Sequence, residues 1–210
     1  MKLLSWNLLH DDGANLVDVA RLIERERPDL LLMQEATTAF EGLVRLVGGA
    51  FAWVPLPGRV HGLAMWVPHP TARPPVVFAL PDGAIVRRVC QTLDLGPFTV
   101  ANVHLSHGQL LNRRQLRFIA RRLPPSAAVV GDFNLVGPTL LPGFHDVGLR
   151  QHTHRMSGLL RLRLDRCLVR GLVCTEARVL SRGASDHHPI MLRLHAASEI
   201  RHQQPRAGVA

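Results

Sequence analysis

The amino-acid sequence predicts an α/β sandwich rather than a simple parallel sheet. Three observations lead there. Residues 2–9, 30–33 and 127–130 are short apolar runs closed by turn or breaker residues, the pattern of strands buried on both faces. Residues 16–26 and 109–123 read as helices, and each runs into one of those strands. Between the two helix–strand runs lies a meander-like series of strand-length segments punctuated by Pro and Gly.

The elements follow in order. The first strand, residues 2–9, turns polar at Asn7. Asn15 can cap a helix over 16–26, with Leu16, Val19, Ala20, Leu22 and Ile23 on one face. Pro28-Asp29 stops it, and Leu30-Leu31-Leu32-Met33 is a second buried strand ending in Gln34-Glu35. Thr38-x-x-Glu41 has the form of a capping box and predicts a helix to about Val47, ended by Gly48-Gly49. Strands are expected at about 51–55, 62–67, 75–80, 86–94 and 97–104, then a helix from Gln109 to Leu123. Pro124-Pro125 breaks the chain before the apolar run 127–130. Beyond an irregular stretch come strands at about 162–169, 175–180 and 189–194. No internal repeat or low-complexity linker divides the chain. The expectation is one domain over residues 1–195 and a disordered tail, 196–210.

Composition narrows the class. The 210 residues are 47% hydrophobic, enough for a sizeable core. Net charge is +9, and Lys2 is the only lysine. Arginine forks onto phosphate oxygens better than lysine, so an anionic partner is a fair expectation, although solubility alone would also account for the charge. Cys90, Cys167 and Cys174 are odd in number and lack metal-ligand spacing, so they read as reduced core thiols of a cytoplasmic protein. Met1-Lys2-Leu3-Leu4 passes straight into Ser5-Trp6-Asn7 without a long apolar run, so no signal peptide is expected. No stretch reaches the roughly 18 apolar residues of a membrane span.

The chain is organised around Val129-Val130-Gly131-Asp132-Phe133-Asn134. A buried strand running into a carboxylate and an amide two residues apart puts polar groups where the core ends. Side chains alternate along a strand, so Asp132 and Asn134 should point the same way. Gly131 lets backbone or ligand approach closely. The pattern recurs at Asn7, Glu35 and His104, then at Asp165 and in the Ser185-Asp186-His187-His188-Pro189 turn. Each position has an ordinary structural role available. Asn7 and Asp186 suit turns, Glu35 suits a helix start, His104 suits a satisfied core, and Asp165 suits an ion pair with Arg166. The constellation is what departs from that account, because ligand sites in α/β folds favour strand ends.

Six segments now resemble a known family. Ser5-Trp6-Asn7, residues 28–35, Asn102-Val103-His104-Leu105, Gly131-Asp132-Phe133-Asn134, residues 164–169 and Ser185-Asp186-His187-His188-Pro189 are similar, in order, to motifs of the endonuclease/exonuclease/phosphatase family, the deoxyribonuclease-I-like phosphoesterases. The resemblance implies two packed β-sheets flanked by helices, a four-layer sandwich. It also implies phosphoester hydrolysis with a divalent metal, usually Mg2+, with Mn2+ as the other candidate. Glu35, Asn7 and Asp186 then become the expected metal set, since Mg2+ wants hard oxygen donors. Asp132 would orient or deprotonate the attacking water, and Asn134 and His104 would hold phosphoryl oxygens. His187, oriented by Asp165, would serve as acid, base or charge stabiliser. Which of Asp132 and His187 takes the proton stays open at this point, and His188 is read as structural.

The substrate is less determined. The middle motif lacks the tyrosine of the abasic-site repair branch, and the chain has no tyrosine at all. Arg113, Arg117 and Arg121 fall at i, i+4 and i+8 on the helix after His104, with Arg114 and Arg122 alongside. Arg113, Arg114 and Arg117 are the candidate substrate-phosphate residues, and a nucleic-acid backbone is the partner such a stripe would track. A solvated helix face would look the same. The first expectation is therefore a metal-dependent nuclease. The alternative is a phosphatase or phosphodiesterase acting on a small molecule or lipid headgroup. A non-catalytic binding protein ranks third, because every residue the resemblance requires is present.

Overall fold

The computed structural model describes residues 1–83, 86–156 and 160–198. In chain order the elements are β1 (Lys2–Asn7), α1 (Leu16–Glu26), β2 (Leu30–Ala36), a 3-10 turn (Thr38–Gly42) leading into α2 (Leu43–Val47), β3 (Ala50–Pro55) and β4 (Gly62–Val67). There follow β5 (Val76–Ala79), β6 (Val89–Asp94), β7 (Thr99–His104), α3 (Gln109–Ala120) and β8 (Ala127–Asp132). Three short strands come next, β9 (His145–Asp146), β10 (His154–Met156) and β11 (Leu160–Leu162). The last elements are β12 (Asp165–Arg170), β13 (Leu172–Val179) and β14 (Ile190–Ala196).

Two six-stranded sheets form, ordered β13-β14-β1-β2-β4-β3 and β5-β6-β7-β8-β12-β9, with β10 and β11 as a separate pair. Only β1–β2 and β7–β8 pair in parallel among the described strands, each across a helix. Alternation along the strands assigns the layers. Leu3, Leu30, Leu32, Val130 and Leu192 meet between the sheets, whereas Leu4, Leu31, Met33 and Met191 face the other way onto Val19 and Ile23 of α1. Ala127 and Val129 do the same on the second sheet, against Leu116 and Ile119 of α3. Helix, sheet, sheet, helix is the four-layer order expected. Strands covered on both faces are apolar without interruption, which is why β2 and β8 stood out.

A buried polar link ties the sheets together where an apolar seam would otherwise run. Gln34 Nε2 donates to Asn102 Oδ1 at 2.7 Å, and Asn102 Nδ2 donates to the carbonyls of Met33 and Ala64 at 3.2 and 3.0 Å. Gln34 belongs to the first sheet and Asn102 to the second. Their pairing sets the register in which the sheets face each other.

Some boundaries differ from expectation for identifiable reasons. The capping box lies at Asn15, whose side chain accepts from Val17 and Asp18 while Asp18 returns a bond to the Asn15 backbone. The Thr38-x-x-Glu41 pattern makes no box. Thr37 is the cap, without a side-chain bond, and the chain winds as a 3-10 turn before α2. The helix expected to reach Leu123 stops at Ala120. The irregular stretch holds β9, β10 and β11. The last strand reaches Ala196, so residue 196 is sheet rather than tail, and residues 199–210 lie outside the described residues. Among the described residues, no helix is long and apolar enough to cross a membrane.

Candidate active site

The carboxyl ends of β1, β2, β7 and β8 reach one edge of the sandwich. There they open into a cavity of about 480 Å³ whose lining includes Asn7, Glu35, His104, Asp132, Asn134, Asp186 and His187. Asp132 sits at its centre. Asp132 Oδ2 accepts from Asn7 Nδ2 at 3.0 Å and lies 3.4 Å from His104 Nε2 and 3.8 Å from His187 Nε2. Its Oδ1 accepts the backbone N–H of Asn134 at 2.9 Å. Asn7 Nδ2 also reaches Glu35 Oε1 at 3.4 Å, while its Oδ1 accepts from Leu9 N. Asp165 lies behind the cavity wall, where its Oδ2 meets His187 Nδ1 at 2.7 Å.

The backbone is bent to make this possible. Glu35 and Asn134 both have positive φ, at 58° and 47°, a conformation that non-glycine residues hold only where surrounding structure fixes it. Gly131 has φ 140°, and a Cβ there would come 2.0 Å from the Val103 carbonyl oxygen. Only glycine lets β7 and β8 lie this close beneath the site. The last motif is anchored by its neighbours. Ser185 Oγ donates to Asn7 O at 2.7 Å and accepts from His187 N at 3.0 Å. Trp6 Nε1 donates to His187 O at 3.1 Å.

Charge separates the roles. Burial disfavours the His187 imidazolium, but the Asp165 and Asp132 carboxylates outweigh it and raise the pKa to about 10. Burial would raise Asp132, yet His187 and His104 with the Asn134 and Asn7 bonds hold it below the usual carboxylate range. Burial drives His104 well below its ordinary value, so it is neutral. The cavity thus holds an anionic Asp132 beside a cationic His187.

The donor set suits a divalent cation. Asp186 Oδ1 is buried without a hydrogen-bond partner, an orphaned oxygen that a cation would satisfy. Asp186 Oδ2 lies 3.2 Å from His154 Nε2, which leaves Oδ1 as the donor open to the cavity. Glu35 presents a second carboxylate to the same cavity. Oxygen donors of this kind fit Mg2+ or Mn2+.

The other expected residues are placed as follows. Arg166 bonds Asp146 and the Leu135 carbonyl, leaving Asp165 to His187. His188 Nδ1 meets the Leu180 carbonyl at 2.9 Å, away from the chemistry. Arg114, Arg117 and Arg121 line a separate groove of about 630 Å³ with Asp82 and Phe118. Arg113 is not in it, because its guanidinium donates to the Gln109 and Pro138 carbonyls. Cys90 and Cys167 are buried, and burial raises both thiols. Sequence reasoning missed Arg59, His61, Arg88 and His154, all in the cavity lining. Arg88 directly precedes the antiparallel strand β6, so a search for strand ends passed over it. His154 lay in the stretch read as irregular.

Comparison with known proteins agrees with this fold. No curated protein matches the sequence. A structure of humanized D. rerio TDP2 superposes with a TM-score of 0.74 at 18% identity, over 93% of this chain and 99% of that one. D. rerio TDP2 complexed with single strand DNA product gives 0.72 at 18%, over 93% and 99%. A mannosyl-6-phosphatase from Bacteroides thetaiotaomicron gives 0.71 at 17%, also over 93% and 99%. A sequence model of the Endonuclease/Exonuclease/phosphatase family matches residues 4–187. The chain therefore belongs to the endonuclease/exonuclease/phosphatase family, a family of phosphoester hydrolases.

Proposed function

We propose that this protein is a divalent-metal-dependent nuclease that hydrolyses nucleic-acid phosphodiester bonds by attack of water on phosphorus. The carrying observation is the surroundings of Asp132, an anionic carboxylate that Asn7 holds at 3.0 Å, with His187 3.8 Å away and backed by Asp165. A carboxylate held ionised orients water and accepts its proton. His187, positively charged at neutral pH, then acts as acid and charge stabiliser toward the phosphoryl and leaving oxygens. The base is therefore Asp132 and not His187. The Asn134 amide gives one hydrogen to Leu105 O and keeps the other for a phosphoryl oxygen. Glu35 and Asp186, with Asn7 beside them, would hold Mg2+ or Mn2+. The ion supplies Lewis-acid polarisation of a phosphoryl oxygen.

Nucleic acid is favoured by the arginine groove. One connection, from β5 to β6, lines both sites, since Leu80, Pro81 and Asp82 face the groove while Val86 and Arg88 face the cavity. A strand with its scissile phosphate in the cavity has a cationic path onward. The second reading, a small phosphoester, is favoured by the size of the cavity, which suits a single small ligand. The deciding experiment offers the purified chain plasmid DNA, single-stranded RNA and a bis-aryl phosphodiester, with Mg2+ or with chelator. Nucleic-acid cleavage that chelator stops is the expected result. Arg117→Ala should weaken nucleic-acid binding at all sequences alike and flatten its salt dependence by about one phosphate contact, while the small diester is unaffected. Turnover of the small diester with inert nucleic acids would favour the second reading.

A further inference from the structure

Arg88 is buried, with 4% of its surface exposed, and it lines the cavity with Glu35, His104 and Asp132. Its backbone is fixed, because Arg88 O accepts from Leu80 N at 2.9 Å just before β6. Its side chain is not paired. Nε is buried without a partner, and among the described residues the guanidinium makes no hydrogen bond and no ion pair. Buried arginines are ordinarily paired, because an unmatched charge in the interior is costly. The molecule follows that rule elsewhere. Arg166, also 4% exposed, bonds Asp146 and Leu135 O, and Arg170 bonds the Leu123 and Pro124 carbonyls.

The charge of the site gives this cation a use. Glu35, Asp132 and Asp186 face the same cavity. Among the described residues Arg88 is the buried arginine of that lining, placed to offset those carboxylates when an anionic phosphoryl group enters. We infer that Arg88 is a substrate-binding residue that receives a non-bridging phosphoryl oxygen and extends the site from phosphodiesters to dianionic phosphomonoesters. The inference rests on the phosphoesterase reading above. An added fixed cation gains more against two charges than against one, so the monoester depends on it most. Arginine's planar fork can address two of the monoester's oxygens together.

The test uses the full chain with Mg2+ and three probes: inorganic phosphate, an aryl phosphomonoester and a bis-aryl phosphodiester. Phosphate affinity is read by calorimetry for wild type, Arg88→Gln and Arg88→Lys, with melting temperature as the folding control. Arg88→Gln should weaken phosphate roughly 10–100-fold, the scale of a charged hydrogen bond, with partial recovery in Arg88→Lys. Its kcat/KM should fall by about 100-fold on the monoester and by about tenfold or less on the diester. Unchanged phosphate affinity would overturn the assignment. So would equal losses on both esters with a lowered melting temperature and no recovery in Arg88→Lys, since a structural role predicts that pattern. If wild type hydrolyses neither ester yet Arg88→Gln weakens phosphate, the proposed function fails and the Arg88 assignment stands.

Discussion

In the proposed mechanism Asp132 and His187 divide the chemistry by charge, and each division can be measured. Asp132→Asn keeps the size of the side chain and its place beside Asn7 but removes the negative charge that water needs. The rate should fall roughly 10²–10⁴-fold with substrate affinity near normal; loss of affinity with kcat intact would contradict the assignment. The His187 pKa of about 10 carries a stability signature. The unfolded value is about 6.5, so the folded state holds the proton more tightly. That contribution is complete below about 6.5 and is lost as pH rises through the folded value of about 10. In metal-free protein, the stability gap between wild type and His187→Gln should shrink across that window; a gap that widens with pH would refute the pairing. At this scale the sequence was informative about identities and silent about partners. Asn7, Glu35, His104 and Asp132, which the structure gathers in one cavity, drew attention because each closes an apolar run, and His187 did so through the turn motif before Pro189. Motif neighbours such as Trp6 and Asn102 turn out to be supports, one bonding His187 O and the other joining the sheets. Motif spacing does not distinguish a residue that reacts from one that holds.

Parallel pairs β1–β2 and β7–β8 lie one in each sheet, and both end at the cavity. Their alignment depends on Gln34 and Asn102, fully buried at the interface. Asn102→Ala removes the bonds to Gln34, Met33, Ala64 and Gln91 at once and opens a small void, at a cost of about 2–4 kcal/mol by urea denaturation. Gln34→Ala should cost less on top of Asn102→Ala than alone, because the partner is already gone. Full additivity would show that the link is not shared. Elements were the most legible level. Long apolar runs and the Asn15 cap placed β1, α1, β2 and β8 well, since burial on both faces leaves a continuous signal. The stretch holding β9, β10 and β11 was lost because strands of two or three residues carry no periodicity.

No single sheet contains the whole site. Asn7 and Glu35 stand on the first sheet, His104, Asp132 and Asp165 on the second, and His187 in the turn before β14. We therefore expect the two sheets to unfold as one unit. Trp6, Trp53 and Trp66 all belong to the first sheet, so their fluorescence reports that half, whereas hydrolysis reports both. The urea transitions of fluorescence and activity should coincide; activity lost well before fluorescence would mean the halves separate. The family architecture was legible because six motifs span the chain, but the way the sheets meet was not, since that contact joins residues far apart in sequence. The pairing of β1 with β14, Lys2 opposite Arg193, has a further result. During synthesis β1 waits for β14 before the order β13-β14-β1-β2 is complete. Asp186 and His187 emerge only just ahead of that closing strand. A chain made only as far as β13 thus lacks both the partner strand of β1 and the turn that carries Asp186 and His187, so hydrolysis has to await β14.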